Sequence, residues 1–525
     1  MGIKTFITTI VLLHILLLHS VSFGQAIEYS KDFRLGSPNT EPGGKKDVVV
    51  LEQGDFIALS KVSGSAKKNL FALERYNEHF EKVWAAEIAV ESNEEYKELF
   101  YNGKEVVLLS VVHLESISKT TLNAYGYDPT SGVKTWTKEL ESYTVGAWAE
   151  NSHKGKVKES FLDVICEHIS APFITPFEYK HHVSFSPDGK MFVSYVYNYG
   201  EKALTASVNI YDTAGNKIKS GKVGIDNDYV NYGLFINNKA ELFILNASNG
   251  GKVNFIKFNL ETKDFVLVEL PASGSQKDDF HVRFLTDDKV LVGNTVLSYK
   301  GSFTGVAYSV FDFAAQKVEK TIFKEYDAAM KAKYLEARKN LKSIKDEENW
   351  MDYDLTHFNL EADGQVLFVL EKRVLHGEGY PHISRSTFDK SHTEAIDGHV
   401  QAEGIIMLSF NAKDELAWSV SHPKNQVYPA SDGLSSISFV LDNMQSDQIR
   451  ILYAYSEGLD ASLHNLRYVA YDRNTGKVLS DKLLPNQDKL VLVRDYTLWP
   501  QRDRLVLVGR KGLLGKTSAI VSYKL

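Results

Sequence analysis

Eight times along the chain, a turn signal containing Gly, Asn or Asp is followed by a short, almost continuous apolar run. The runs are FIALSKV after Gly54-Asp55, EVVLLSVV after Asn102-Gly103, MFVSYVY after Asp188-Gly189 and ELFILNA after Asn237-Asn238. The others are VLVGNTV after Asp287-Asp288, VLFVLEK after Asp363-Gly364, IRILYAY after Ser446-Asp447, and RLVLVGR beside Asp503. Gly, Asn and Asp tolerate the positive φ that tight hairpin turns require. Runs seven or eight residues long and nearly continuous in apolar character suit a strand buried on both faces better than a helix. Anchored at Phe56, Val106, Met191, Leu242, Val290, Val366, Ile449 and Leu505, the runs lie 50, 85, 51, 48, 76, 83 and 56 residues apart. A base period near fifty with short strands is the pattern of propeller blades, and it replaces the several domains that 525 residues would otherwise suggest.

A second signature runs in phase with the first. An aromatic followed by Asn or Asp recurs at Tyr76, Tyr127, Tyr211, Phe258, Phe311, Phe410 and Tyr471, mostly about 20 residues after an anchor. Asx side chains bond their own backbone and set a turn there. Each unit therefore reads as strand a, turn, strand b, loop, strand c, Asx turn, strand d. The eighth unit stops after strand c, with Tyr523 in the aromatic position. An open sheet edge invites pairing, so the unassigned segment AIEYSKDFRL (26–35) is expected to supply the missing strand. The fold class is all-β: an eight-bladed β-propeller, with seven blades as the alternative, closed by an N-terminal strand and carrying one helical insertion.

The phrases FSPDGKMFVSY (185–195) and YDPTSGVKTW (127–136) resemble the repeats of secreted TolB-like and WD-repeat-like β-propellers. The resemblance implies a fold and no activity. The second phrase is also similar to a quinoprotein repeat. The other units lack its Trp, and a lone Cys166 offers no adjacent Cys pair, so a quinone-dependent dehydrogenase is not expected.

Residues 1–24 have the form of a secretory signal peptide: Lys4, an apolar stretch from Phe6 to Leu18, then Ser22-Phe23-Gly24. The stretch is shorter than a spanning helix needs. The expected mature chain, 25–525, is a single exported propeller domain, periplasmic or extracellular, with no stable membrane insertion. Sixty basic against 67 acidic residues, net charge −7, give no phosphate-binding surface, so nucleic acid is not an expected partner. Cys166 has no intrachain partner, and a monomer is expected.

Three segments break the period: 143–180, 324–350 and 375–400. All three are b–c or d–a connections, which share one rim of a propeller, and long loops on a rigid scaffold are where binding usually resides. The second insertion is expected to be helical, with Tyr326, Met330, Tyr334, Ala337, Leu341 and Ile344 in one apolar stripe opposite Lys331, Lys333, Arg338, Lys339 and Lys342. The third carries His376, His382, His392 and His399 among Glu378, Asp389, Glu394 and Asp397. Imidazole and carboxylate are the vocabulary of metal and acid–base sites, but no HxH, HxxxH or HExxH spacing would bring two of these ligands together locally. The first ends at His181-His182, where strand a of the third unit begins. The candidate binding residues are thus His376, His382, His392, His399, His181, His182, Glu378 and Asp389. The leading expectation is a non-enzymatic scaffold that holds a protein, peptide or glycan on the loop-bearing face. The alternative is a hydrolase or lyase using His and carboxylate groups from the loops. No cofactor is expected, a divalent metal being the one addition this chemistry leaves open.

Overall fold

The computed structural model describes residues 27–33, 48–51, 55–64, 68–79, 81–91, 94–114, 119–144, 181–199, 204–225, 230–247, 251–271, 276–298, 302–338, 351–361, 363–377, 398–429, 439–442, 447–455, 465–486, 490–501, 504–511 and 518–524. Thirty-two strands sort into four-stranded antiparallel sheets, eight among these residues, each built from consecutive strands except the last. In chain order the sheets span 48–91, 94–144, 182–225, 230–270, 276–325, 351–429, 440–485 and 490–524. Each touches the next, and strand Val48–Val50 of the first meets strand Leu490–Gln501 of the eighth, so the all-β assembly is a propeller. The fourth strand of the eighth sheet comes from the other end of the chain. Ile27–Phe33 runs antiparallel to Ser518–Lys524, with Tyr29 opposite Ser522 and Phe33 opposite Ser518.

The two sequence signatures are the two halves of one cross-strand pair. Phe56 faces Tyr76, Val106 faces Tyr127, Leu242 faces Phe258 and Val290 faces Phe311. Val366 faces Phe410, Ile449 faces Tyr471 and Leu505 faces Tyr523. In the third sheet the register moves by one, so that Phe192 rather than Met191 meets Tyr211. An aliphatic group against an aromatic one is a favourable pair on a pleated sheet. Stacking sheet on sheet then buries the pair; Tyr211, Tyr471 and Tyr523 are each 1% exposed.

Burial grades outward across each sheet. The second strand of the fourth, Leu242–Ala247, is buried at every position. The outer strand Lys317–Glu325 of the fifth alternates between exposed and half-buried residues, as a one-sided strand should. The c–d turns are set as the Asx pattern requires. Asp128 Oδ1 accepts from the backbone N–H of Thr130 at 2.9 Å and Ser131 at 2.7 Å, and Asp472 does the same for Asn474 and Thr475. Gly132 and Gly476 follow at φ 72° and 67°, where a side chain would be strained.

The described part of the second insertion forms a helix, Ala328–Arg338; Leu341 and Ile344 lie outside the described residues. Tyr326, Met330 and Tyr334 are buried in the core shared by the fifth and sixth sheets, while Lys331 and Lys333 face outward. The helix packs on Leu416–Pro429, the outer strand of the sixth sheet. That sheet has the longest strands, of 12, 13 and 14 residues in Val366–Gly377, Gly398–Phe410 and Leu416–Pro429. No helix among the described residues is long and apolar enough to cross a membrane.

Candidate functional site

The strands flanking the three insertions end on one rim. They are Thr144 and His182, Glu325 and Met351, and Gly377 and Gly398. Below this rim, side chains from neighbouring sheets meet in buried polar clusters.

Between the second and third sheets, Glu141 is the acceptor at the centre of a cluster. Its Oε1 takes hydrogen bonds from His181 Nδ1 at 2.8 Å and Ser194 Oγ at 2.6 Å. Its Oε2 takes one from the Tyr211 hydroxyl at 3.1 Å and another from Asn209 Nδ2. Burial pushes the Glu141 pKa up, but the His181, Ser194 and Tyr211 donors outweigh it and hold the carboxyl below its ordinary range. Bonded to the ionised Glu141 through Nδ1–H, a neutral His181 would carry its lone pair on Nε2. That Nε2 is buried and has no hydrogen-bond partner. The next residue, His182, points elsewhere. Its ring stacks on Tyr195 with centroids 4.9 Å apart and meets Tyr197 edge-on.

Between the sixth and seventh sheets lies a second cluster. Lys424 and Arg373 both donate to the fully buried Glu371, with Arg373 Nε at 2.7 Å, and Arg373 also pairs with Asp354 at 2.5 Å. The four charges alternate and sum to zero, the condition under which buried ions are tolerated. Burial pushes the Glu371 carboxyl up, and the Lys424 and Arg373 charges bring it below the ordinary range. Beside it His422 is held between two tyrosines, Nε2 to the Tyr453 hydroxyl at 2.7 Å and Nδ1 to the Tyr471 hydroxyl at 2.6 Å. Burial, reinforced by the Arg467 charge, pushes the His422 pKa down to about 3, so the imidazole is neutral at physiological pH. On the other face of the sixth sheet Lys372 pairs with Glu403 at 2.7 Å and lies over the Tyr334 ring of the helix.

His182 opens the first strand of the third sheet, and His181 stands just before it. His376 and His399 stand in the sixth, with the fourth and fifth sheets between them. His376 and His399 are direct register partners near the ends of their strands. Local spacing could not reveal this pairing, because 22 intervening residues separate them in the chain and only the hairpin brings them opposite. His382, His392, Glu378 and Asp389 lie outside the described residues, as does Cys166. Sequence reasoning missed Glu141, Glu371, Arg373, Lys424 and His422. Glu371, Arg373 and Lys424 were legible only as charges inside otherwise strand-like runs, VLFVLEKRV and SVSHPKNQV. Among the described residues no cluster of three or more His, Cys, Asp or Glu is arranged to hold a metal ion.

No protein-family model and no curated protein sequence matches the chain. Solved structures do. The Dos1 propeller aligns over 95% of this chain and 96% of its own at 10% identity and TM-score 0.42. The polysaccharide lyase Uly1 aligns over 94% and 93% at 10% identity and TM-score 0.39. The WD40 domain of SCAP from fission yeast aligns over 94% and 98% at 10% identity and TM-score 0.38. At such identities and scores none of them lends this chain an activity.

Proposed function

We propose that the chain is an exported, single-domain, eight-bladed propeller, residues 25–525 after a signal peptide of 1–24, acting as a non-enzymatic binding module. It holds a protein, peptide or glycan on the rim that carries the three insertions. One observation carries the reading. Among the described residues, buried side-chain atoms without a hydrogen-bond partner occur at that rim at Thr120 Oγ1, His181 Nε2, Asn254 Oδ1 and both amide atoms of Gln426. Thr120 and Asn254 are each second in their strand after a b–c connection. His181 lies in a d–a connection, and Gln426 is near the end of an outer strand. Near the opposite rim the comparable atoms among the described residues are Ser480 Oγ and Arg473 Nε, the Arg473 guanidinium being otherwise paired with Glu361. Buried polar atoms are normally paired, and each orphan costs about 1–3 kcal/mol. Stability alone would not gather them on one face, whereas a bound partner would satisfy them.

His376, His399, His382, His392, Glu378 and Asp389 belong to the same rim in this reading, as contacts offered by the hairpin of the sixth sheet. The test replaces residues 378–397 with a short Gly-Ser turn and screens both proteins against peptide and oligosaccharide arrays. Ligands that bind the native protein and are lost from the variant, at unchanged melting temperature, are expected. Equal binding by both proteins would refute the assignment of the site.

A second reading has its own support. A carboxylate on Nδ1 and a free Nε2 are what a general base requires, and Glu141 with His181 provides both. Turnover of an ester or glycoside by the native protein, abolished in His181→Ala, would replace the binding reading with a hydrolase or lyase.

A further inference from the structure

Buried cations on the loop-bearing rim come with buried anions. Lys372 has Glu403, while Lys424 and Arg373 share Glu371. Lys277 does not follow this pattern. It is 8% exposed, second in the inner strand Gln276–Phe284 of the fifth sheet, at the rim end of that strand. Its Nζ donates to one acceptor, the carbonyl oxygen of Gly251 at 2.8 Å, in the b–c connection of the fourth sheet. An ammonium has three donors, so two remain, and no carboxylate among the described residues pairs with it. Burial alone holds its pKa below the ordinary lysine value. A buried charge without a counter-charge is costly, and proteins avoid it unless something outside the chain supplies the balance.

The surroundings set what can enter. Lys277 is opposite Val296 in the strand register, and Asn294, two residues back on the same strand, shares that face of the sheet. Asn294 is buried and spends one amide hydrogen on the Thr295 carbonyl at 2.7 Å, which leaves the second for a ligand. One surplus positive charge with neutral donors beside it matches a monoanion with two acceptor oxygens. A phosphate dianion would leave one negative charge unbalanced.

We propose that Lys277, with Asn294 beside it, receives a carboxylate group of the ligand in the seam between the fourth and fifth sheets at the loop-bearing rim. The proposal rests on the binding reading above and narrows its ligand to a carboxylate-bearing one. Carboxylate charge replaces the missing counter-ion, and the ammonium retains the Gly251 carbonyl as its third contact.

The probe is acetate, with acetamide as the neutral control at matched ionic strength. The readout is the NMR signal of the Lys277 side chain in the full-length protein, titrated to saturation. Acetate is expected to shift it saturably and acetamide to leave it in place. Lys277→Met should lose the acetate-dependent rise in melting temperature and bind acetate at least about tenfold more weakly, while folding at least as stably without acetate. Lys277→Arg, which keeps the charge, should retain the response. A Lys277 signal unmoved by acetate, or an equal acetate response in Lys277→Met, would overturn the assignment. Arrays probed with Lys277→Met separate the two levels. If ligands of the native protein still bind it, and are still lost on replacing 378–397, the carboxylate assignment falls and the binding rim stands.

Discussion

Glu141→Gln is the sharpest test of how the sheets are joined beneath the loop-bearing rim. The side chain keeps its shape and loses one charged oxygen. All four donors lose an anionic acceptor, and whichever way the new amide turns two of them are left facing its NH2: His181 Nδ1 and Ser194 Oγ on one side, or Asn209 Nδ2 and the Tyr211 hydroxyl on the other. A hydrogen bond to a charged group contributes about 1.5–3 kcal/mol, so two amount to about 3–6 kcal/mol. Each side holds a hydroxyl, Ser194 on one and Tyr211 and Tyr143 on the other, that can rotate to accept from the new amide, which brings the expected loss to about 2–4 kcal/mol. Urea unfolding at pH 7 measures it. The pH dependence is a second, independent check. The Glu141 pKa in the folded chain lies below its ordinary 4.5, so its charge stabilises the fold above that value and the contribution is lost as pH falls through the folded pKa. The gap between native protein and Glu141→Gln should therefore be constant from pH 7 down to about 5 and close below 4.5. A gap under about 0.5 kcal/mol at pH 7, or one that persists unchanged in acid, would refute the view of Glu141 as an ionised clamp.

Three further outcomes follow from the packing. Lys424→Met leaves Glu371 buried with one cation fewer and should cost about 3–5 kcal/mol, whereas the double variant Glu371→Leu/Lys424→Met should recover most of it; a double-mutant cycle in urea measures the coupling. Deleting residues 27–33 removes six register pairs from the eighth sheet and should cost about 3 kcal/mol or more, read as a lower melting temperature and increased self-association through the exposed edge. Gly404→Val should unseat the helix, because even a Cβ at this position would sit 2.8 Å from the Tyr334 ring and 3.1 Å from the His422 carbonyl oxygen; faster hydrogen exchange across 328–338 at a cost of about 1–3 kcal/mol is the expected signature.

The strands were legible because their cause is local. An apolar run buried between two sheets must be apolar at consecutive positions, and a tight turn must carry Gly, Asn or Asp, so the sequence alone placed the second and third strands of every sheet and the Asx turns between c and d. The helix was legible at Tyr326, Met330 and Tyr334 because a stripe at helical spacing has no other use for its aromatics. The polar clusters were hidden. Glu141 sits in YDPTSGVKTWTKELES, where an outer strand alternates charge with half-buried residues and one glutamate resembles another. What distinguishes it is that Ser194, Asn209 and Tyr211 arrive from the third sheet, 53, 68 and 70 residues away.

Sequence by itself determined the repeat, the aromatic signature in phase with it, and the shared rim of the three insertions, all consequences of periodicity and chain direction. Tertiary structure alone decided which charges are matched and which are not. Glu371 finds Lys424 and Arg373, while among the described residues Lys277 is left with a carbonyl. The physical reason is that charge pairing in the interior depends on which sheets stack face to face, a relation between distant segments that no local pattern encodes.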